Sequence, residues 1–494
     1  MRKFTPSRRD VLKGIAAGGL SLSFAGYATA ANGEAQYIVT TRGRGGVRRL
    51  EREGFEIQRK LANDEVLLAT GPENASSNLL DINGVEAAAR NVRLVLKSPV
   101  KDELPAPNEL DVPDFYETYL WDKQNIESVE ANEIATGDGA SVGIIDTGID
   151  YEHPELLPNL DKEAGRLFRD GDIRSGIGEI IVPDNYPDPT ALKTEEFHVA
   201  DEQQGHGTHV AGIAAAADSY GVIGTAPDAD VISLRVFWWT MVEDPETGEE
   251  EPGIATTTGD VLNAINHGAE KGYDAVNLSL GTLPLHPSEI RPHGIRQLKV
   301  AYHKVVQWAV QEGTVVVASA GNSETNLSRQ GLFSLPNSVE GAMSISATGP
   351  NDKLAFYSDY GTSEVDVGAP GGGYETLEKT IIDDPAKVGW PFPTNLVFSA
   401  ISPRVEGASY GWKAGTSMAA PQVAGLVALV RELEGDARPH HIESAIKHGA
   451  EGGTGRSDPE LGAGRINAKN TVELLVDNDD GNITGIGNGN GSRP

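Results

Sequence analysis

Three segments carry side chains that could do chemistry together. An apolar run from Val142 to Ile145 ends in Asp146, followed by the turn Thr147-Gly148. Gly205-His206-Gly207-Thr208-His209 puts an imidazole at the start of a predicted helix. Gly415-Thr416-Ser417-Met418-Ala419-Ala420-Pro421 puts a hydroxyl where a loop enters a second helix. Proline is tolerated in a helix's first turn, which predicts Ser417 at the positive end of the helix dipole, where an oxyanion is stabilised. A carboxylate, an imidazole and a hydroxyl are the parts needed for nucleophilic acyl transfer. Each segment alone has a plainer reading. Asp146 and Ser417 could be helix caps. His206 and His209 share a helical face, as metal ligands do, but no HExxH or HxxEH pattern and no obvious third ligand accompany them.

Those side chains need a rigid frame. The runs Ser141 to Ile145, Val231 to Val236, Ala275 to Leu280, Thr314 to Ala318 and Met343 to Ala347 are continuously apolar rather than alternating. This predicts parallel strands buried on both faces. Helical stretches at Gly207 to Ala217, Gly259 to Lys271 and Ile295 to Glu312 lie between them. The alternation predicts a doubly wound, mostly parallel α/β sheet, and Asp146 at a strand's carboxyl end falls where such sheets place their sites. A smaller unit precedes it. Strands at Tyr37-Ile38-Val39, Phe55-Glu56-Ile57, Val66 to Ala69 and Val92 to Leu96, with helices at Val47 to Glu53 and Ser76 to Asp81, read as a ferredoxin-like α+β fold.

The order Asp, His, Ser and the residues around each make the chain similar to the subtilisin-like serine peptidases over residues 126–475. Secreted haloarchaeal members of the halolysin type resemble it in particular, and Trp121-Asp122-Lys123-Gln124-Asn125-Ile126 looks like the mature start of the thermitase-like branch. The resemblance implies that Ser417 attacks the peptide carbonyl, His206 carries the proton and Asp146 holds the His tautomer. It implies that Asn322, closing Val315 to Gly321, donates to the oxyanion. It also implies that Ser279, Leu280, Gly281 and Gly321 line an open, fairly apolar substrate groove of broad specificity. Substrates would be proteins and peptides. The unit at 32–97 would be a propeptide, an intramolecular inhibitor, with 98–125 as linker and processing segment and 126–476 as the catalytic domain. No cofactor is required for the chemistry. Structural calcium is possible, but the family's loop after the His helix is one residue short at Ala216 to Gly224, and Glu155 stands where an Asp is usual. The rival reading is a catalytically silent peptide-binding module, although no triad or oxyanion position is lost.

Composition narrows the setting. Seventy-two acidic against 41 basic residues give a net charge of −31, which repels nucleic acid. Self-repulsion on that scale is relieved at molar salt, where the Debye length is about 3 Å. A salt-rich habitat is expected. There is no cysteine, so no disulfide contributes. Paired Arg8-Arg9, an apolar run from Gly14 to Tyr27 and the small-x-small pattern Ala28-Thr29-Ala30 read as a twin-arginine export signal over residues 1–31. The run is shorter than the ~20 residues that span a bilayer, so no stable membrane anchor is expected and the product is secreted. Met241 to Pro252 carries six acids and no base near the expected wall of the groove. It reads as a solvated loop, or as one that favours basic substrate residues. Residues 477–494, with a glycosylation sequon at Asn482, read as a disordered tail. A monomer is expected.

Overall fold

A computed structural model describes residues 20–30, 33–42, 45–73, 75–96, 115–185, 189–243, 249–286, 294–329, 331–453 and 458–479. The arginine pair, residues 97–114, the tip 244–248 of the acidic segment and residues 480–494 lie outside them.

A ten-stranded sheet forms the frame. Its middle runs Val367–Pro370, Ala342–Thr348, Val315–Ser319, Ala275–Leu278, Ser141–Asp146 and Asp230–Arg235, all parallel. Successive residues enter different cores. Val142, Ile144, Val315 and Val317 join one cluster, while Ile145, Val316, Val276 and Ala318 join the other. Burial on both faces is the reason these strands are continuously apolar. Helices His206–Ala215 and Thr416–Leu433 cover the first face, and Thr258–Lys271 with Ile295–Glu312 cover the second. The two helices of the first face cross closely at Gly425, where a Cβ would meet the carbonyl of Ala214 and the Thr225 side chain. Among the described residues no helix is long and apolar enough to cross a membrane.

Several boundaries differ from the sequence reading. The run Ala275 to Leu280 breaks at Ser279, and Leu280–Thr282 is a separate strand in another sheet. Among the described residues, four strands that the sequence reading does not include lie between Asp161 and Asp201. They are Arg166–Arg169 with Asp172–Arg174, and a second hairpin of Ile177–Pro183 with Leu192–His198. The stretch from Tyr374 to Trp412 likewise holds helices and the hairpin Val397–Ala400 with Tyr410–Lys413. The catalytic body starts before residue 126. Helices Phe115–Tyr119 and Trp121–Asn125 pack into it, with Trp121 Nε1 donating to the Leu396 carbonyl at 3.0 Å. Lys123 is fully buried and ties the two helices of the first face, donating to Ile213 O (2.8 Å) and to Gln422 Oε1. Burial lowers its pKa to about 8 despite neighbouring Asp122.

The N-terminal unit is a four-stranded antiparallel sheet in the order Glu56–Leu61, Val66–Gly71, Ala35–Thr41, Val85–Arg90, backed by helices Gly45–Arg52 and Ser76–Asp81. Its fourth strand is therefore Val85–Arg90, not Val92–Leu96. The unit sits on helices Thr258–Lys271 and Ile295–Glu312. Ala62 N donates to Asn266 Oδ1 and Gly259 N to Asn91 Oδ1, both at 2.8 Å, and Lys304 Nζ reaches Glu65 at 2.7 Å.

Candidate active site

The strand ends bring the chemistry to one edge. Asp146 closes its strand, Ser279 follows Ala275–Leu278 beside it, and Asn322 lies just beyond Val315–Ser319 in the next. Ligand sites of open α/β sheets form at this carboxyl edge.

His206 is the first residue of its helix, and its ring and the Asp146 carboxylate are both fully buried. Nδ1 lies 2.9 and 3.0 Å from the two Asp146 oxygens. An ionised carboxylate can only accept, so Nδ1 carries the proton and Nε2 is left as a base. That Nε2 is buried and has no hydrogen-bond partner among the described residues. Asp146 is itself oriented by the amide of Thr147 at 2.7 Å, and Thr147 Oγ1 accepts from Gly207 N at 2.9 Å. His209 faces elsewhere, its Nε2 3.2 Å from the Gly411 carbonyl, and burial keeps its pKa well below the ordinary value.

Ser417 is the second residue of helix Thr416–Leu433. Pro421 therefore lies in the second turn rather than the first. It cannot supply the helix bond to the Ser417 carbonyl. Ser279 Oγ donates to that carbonyl instead, at 2.7 Å, and Ser417 Oγ donates back to the Ser279 carbonyl at 3.0 Å. The hydroxyl is thus turned to Ser279, and no hydrogen bond joins it to His206. Asn322 is oriented by Thr416, whose amide and Oγ1 both donate to Asn322 Oδ1 at 2.9 and 3.0 Å. The asparagine's oxygen is occupied, which leaves its Nδ2 donor for another acceptor. At Gly321 (φ 115°) a Cβ would run into Oδ2 of Asp359. Asp359 Oδ1 accepts from Ser323 N (3.0 Å) and Thr325 N (2.8 Å), fixing the loop that carries Asn322. Burial raises the Asp359 carboxyl to about 7.

Thr416, Asp359 and the side-chain role of Ser279 have no signal in the sequence. A further ion pair, Glu406 with Lys413 at 2.9 Å, abuts Gly205, where a Cβ would clash with Glu406 Oε1. Nothing short of the fold brings it there. Leu280 and Gly281 do accept an added strand, with Leu20 and Ser21 as their parallel partners. The opposite wall is Ile254–Thr257, paired antiparallel with Arg93–Leu96. The acidic segment belongs to the hairpin Trp238–Glu243 and Glu250–Thr257. Its described acids, at Glu243 and 249–251, lie at the end away from the paired groove.

The loop after the His helix does not fit calcium. A calcium ion needs six to eight oxygen ligands. Both Glu155 oxygens are instead taken by donors: Ser219 N (2.7 Å), Tyr220 N (3.2 Å), Val222 N (3.1 Å) and the Tyr410 hydroxyl (3.0 Å).

A carboxylate-held imidazole at one helix start and a serine at another, both carried by an α/β fold, are the parts of a serine hydrolase. Residues 137–464 match the profile of the Subtilase family. The chain belongs to this family and is a serine-type endopeptidase. It is 30% identical over 364 residues to thermitase of Thermoactinomyces vulgaris, covering 73% of this chain and 98% of that one. It is 28% identical over 382 residues to halolysin of Haloferax mediterranei, covering 77% of this chain and 57% of that one. Its fold resembles the epidermin leader peptide processing serine protease of Staphylococcus aureus, with a TM-score of 0.65, 17% identity, and coverage of 89% and 98%.

Proposed function

We propose that this chain is a secreted, salt-requiring endopeptidase of broad specificity in which Ser417 is the nucleophile, His206 the general base and acid, and Asp146 the residue that holds the imidazole. The observation that carries this reading is the pairing of His206 Nδ1 with Asp146 while Nε2 is left without a partner. In this reading the Ser417 hydroxyl turns from the Ser279 carbonyl and gives its proton to that nitrogen. The tetrahedral oxyanion would take Asn322 Nδ2 and the amide of Ser417. The extended substrate would pair with Leu280–Gly281 on one side and Ile254–Thr257 on the other. The residues named suffice without a metal, and any calcium would be structural.

Secretion and salt dependence extend the same reading. The net charge of −31 and the similarity to halolysin support a salty environment. The paired arginines support export of a folded chain, with residues 32–97 as an inhibitory propeptide. The test is casein hydrolysis by wild type and Ser417→Ala at about 0.1 M and about 4 M NaCl, concentrations that bracket the screening range. Ser417→Ala is expected to lower kcat by about 10⁶, the size known for this loss in a related subtilase. Equal turnover by the two proteins would remove Ser417 as nucleophile. Full wild-type activity at the lower salt would discard the salt requirement.

A further inference from the structure

The groove is filled by two strands of this chain, and the second is unexpected. Between the walls Ile254–Thr257 and Leu280–Thr282 lies Val92–Leu96, the continuation of the N-terminal unit. Beside it lies Leu20–Tyr27, from the apolar run of the export signal. Leu20, Ser21 and Leu22 pair in parallel with Leu280, Gly281 and Thr282. On the other edge Leu22, Ser23 and Phe24 pair antiparallel with Leu96, Val95 and Leu94. The five strands make one sheet across the groove.

This segment is anchored. Leu22 is 3% exposed and belongs to the apolar cluster that also holds Leu94, Leu96, Ile254 and Leu280. The Arg90 guanidinium stands 4.9 Å from the centroid of the Tyr27 ring. Ala28, the first residue of the expected cleavage pattern, is fully buried, and its amide donates to Asn91 O at 2.9 Å. Thr29 then bridges to Ala35. A peptidase that removes the signal needs Ala28-Thr29-Ala30 drawn out as an extended strand, and drawing it out pulls Leu20–Tyr27 from the groove.

We infer that the edge Leu280–Thr282 is the seat of the chain's own export signal, whose strand Leu20–Tyr27 closes the groove until the signal is removed. The inference rests on the proposed export of a folded chain. A peptidase that folds before crossing must be closed on the inner side, and a lock built from the signal itself is lost at the membrane. The propeptide tail Val92–Leu96 then remains as the second closure.

Two measurements in molar NaCl test this. In full-length Ser417→Ala, which cannot process itself, hydrogen exchange should show the amides of Ser21 to Phe24 protected. Exchange at the rate of an unstructured chain would overturn the lock whether or not the peptidase reading holds. In the active protein, the lag before hydrolysis of a small chromogenic peptide should shorten on the order of tenfold in full-length Leu22→Pro, as expected for losing two or three strand hydrogen bonds. A chain of residues 32–494 should match it. Equal lags in all three would also overturn the lock. Absence of Ser417-dependent turnover even in the 32–494 chain would strike the peptidase reading instead and leave the exchange result to decide the lock.

Discussion

Asp146 and Glu155 are both fully buried carboxylates within one stretch of chain, and they are treated in opposite ways. Glu155 has its oxygens filled by three backbone amides and a phenol, all of which end there. Asp146 passes its hydrogen bond through His206 to an Nε2 that has no partner among the described residues. The same contrast holds across the fold. The Lys123 ammonium has acceptors for its three donors in Ile213 O, Thr225 Oγ1 and Gln422 Oε1, whereas Asn322 has its oxygen fixed and its amide left over. Hydrogen-bonding capacity is closed where Glu155 anchors a loop and left open where, on the proposed reading, charge develops during reaction.

The largest effect expected from breaking this contrast is at the open end. On the proposed reading, Asn322→Ala removes the side-chain donor to the oxyanion and leaves the sheet intact. It should lower kcat about 10²–10³-fold with KM little changed, a cost of about 2.7–4 kcal/mol, the size established for this donor in the family. Steady-state kinetics on a chromogenic peptide would measure it. A change confined to KM would mean that Asn322 binds substrate rather than the oxyanion.

At the closed end the loss should appear in stability. Glu155→Ala leaves the buried Val222 amide and Tyr410 hydroxyl, and the part-buried amides of Ser219 and Tyr220, without this acceptor, a cost on the order of 1–3 kcal/mol. The expected outcome is a lower Tm and denaturant midpoint, with kcat of the folded protein close to wild type. An unchanged midpoint would show that water or rearrangement satisfies the loop, and that the closed network does not anchor it.

Much of this was legible because each reactive residue ends a strong local pattern. Asp146 closes an apolar strand, His206 opens an Ala- and Gly-rich helix, and helix Ile295–Glu312 was read with its observed bounds. What failed depends on partners distant in sequence. Val92–Leu96 is a stronger strand former than the alanine-rich Val85–Arg90, yet it leaves the N-terminal sheet because the wall Ile254–Thr257 offers it an edge. Leu20–Tyr27 has small and apolar residues that fit an export signal, and its strand form depends on edges distant in sequence, at Leu280–Thr282 and Val92–Leu96. Thr416 carries no local signal of its role. Its role exists only once Asn322 is brought against it.

Asp359 stands between the two cases, and its variant should give the smallest effect. Oδ1 is closed by Ser323 and Thr325, while Oδ2 is buried without a partner among the described residues. Burial raises its carboxyl from 3.8 to about 7. Between those values the native chain keeps a proton that the unfolded chain has lost. The group's contribution to stability is therefore full below about pH 4, falls as pH rises toward 7, and is absent above. Asp359→Asn keeps an oxygen for the two amides and removes the titration. Denaturant midpoints in molar NaCl at pH 5 and pH 8 should differ less in the variant than in wild type, with the gain at pH 8. Some slope remains in both, because burial also raises Asp260 to about 7 and Asp201 to about 6. An identical slope in the two proteins would mean that Asp359 is ionised in the folded state throughout this range, its Oδ2 satisfied by solvent, and would move it to the closed class with Glu155.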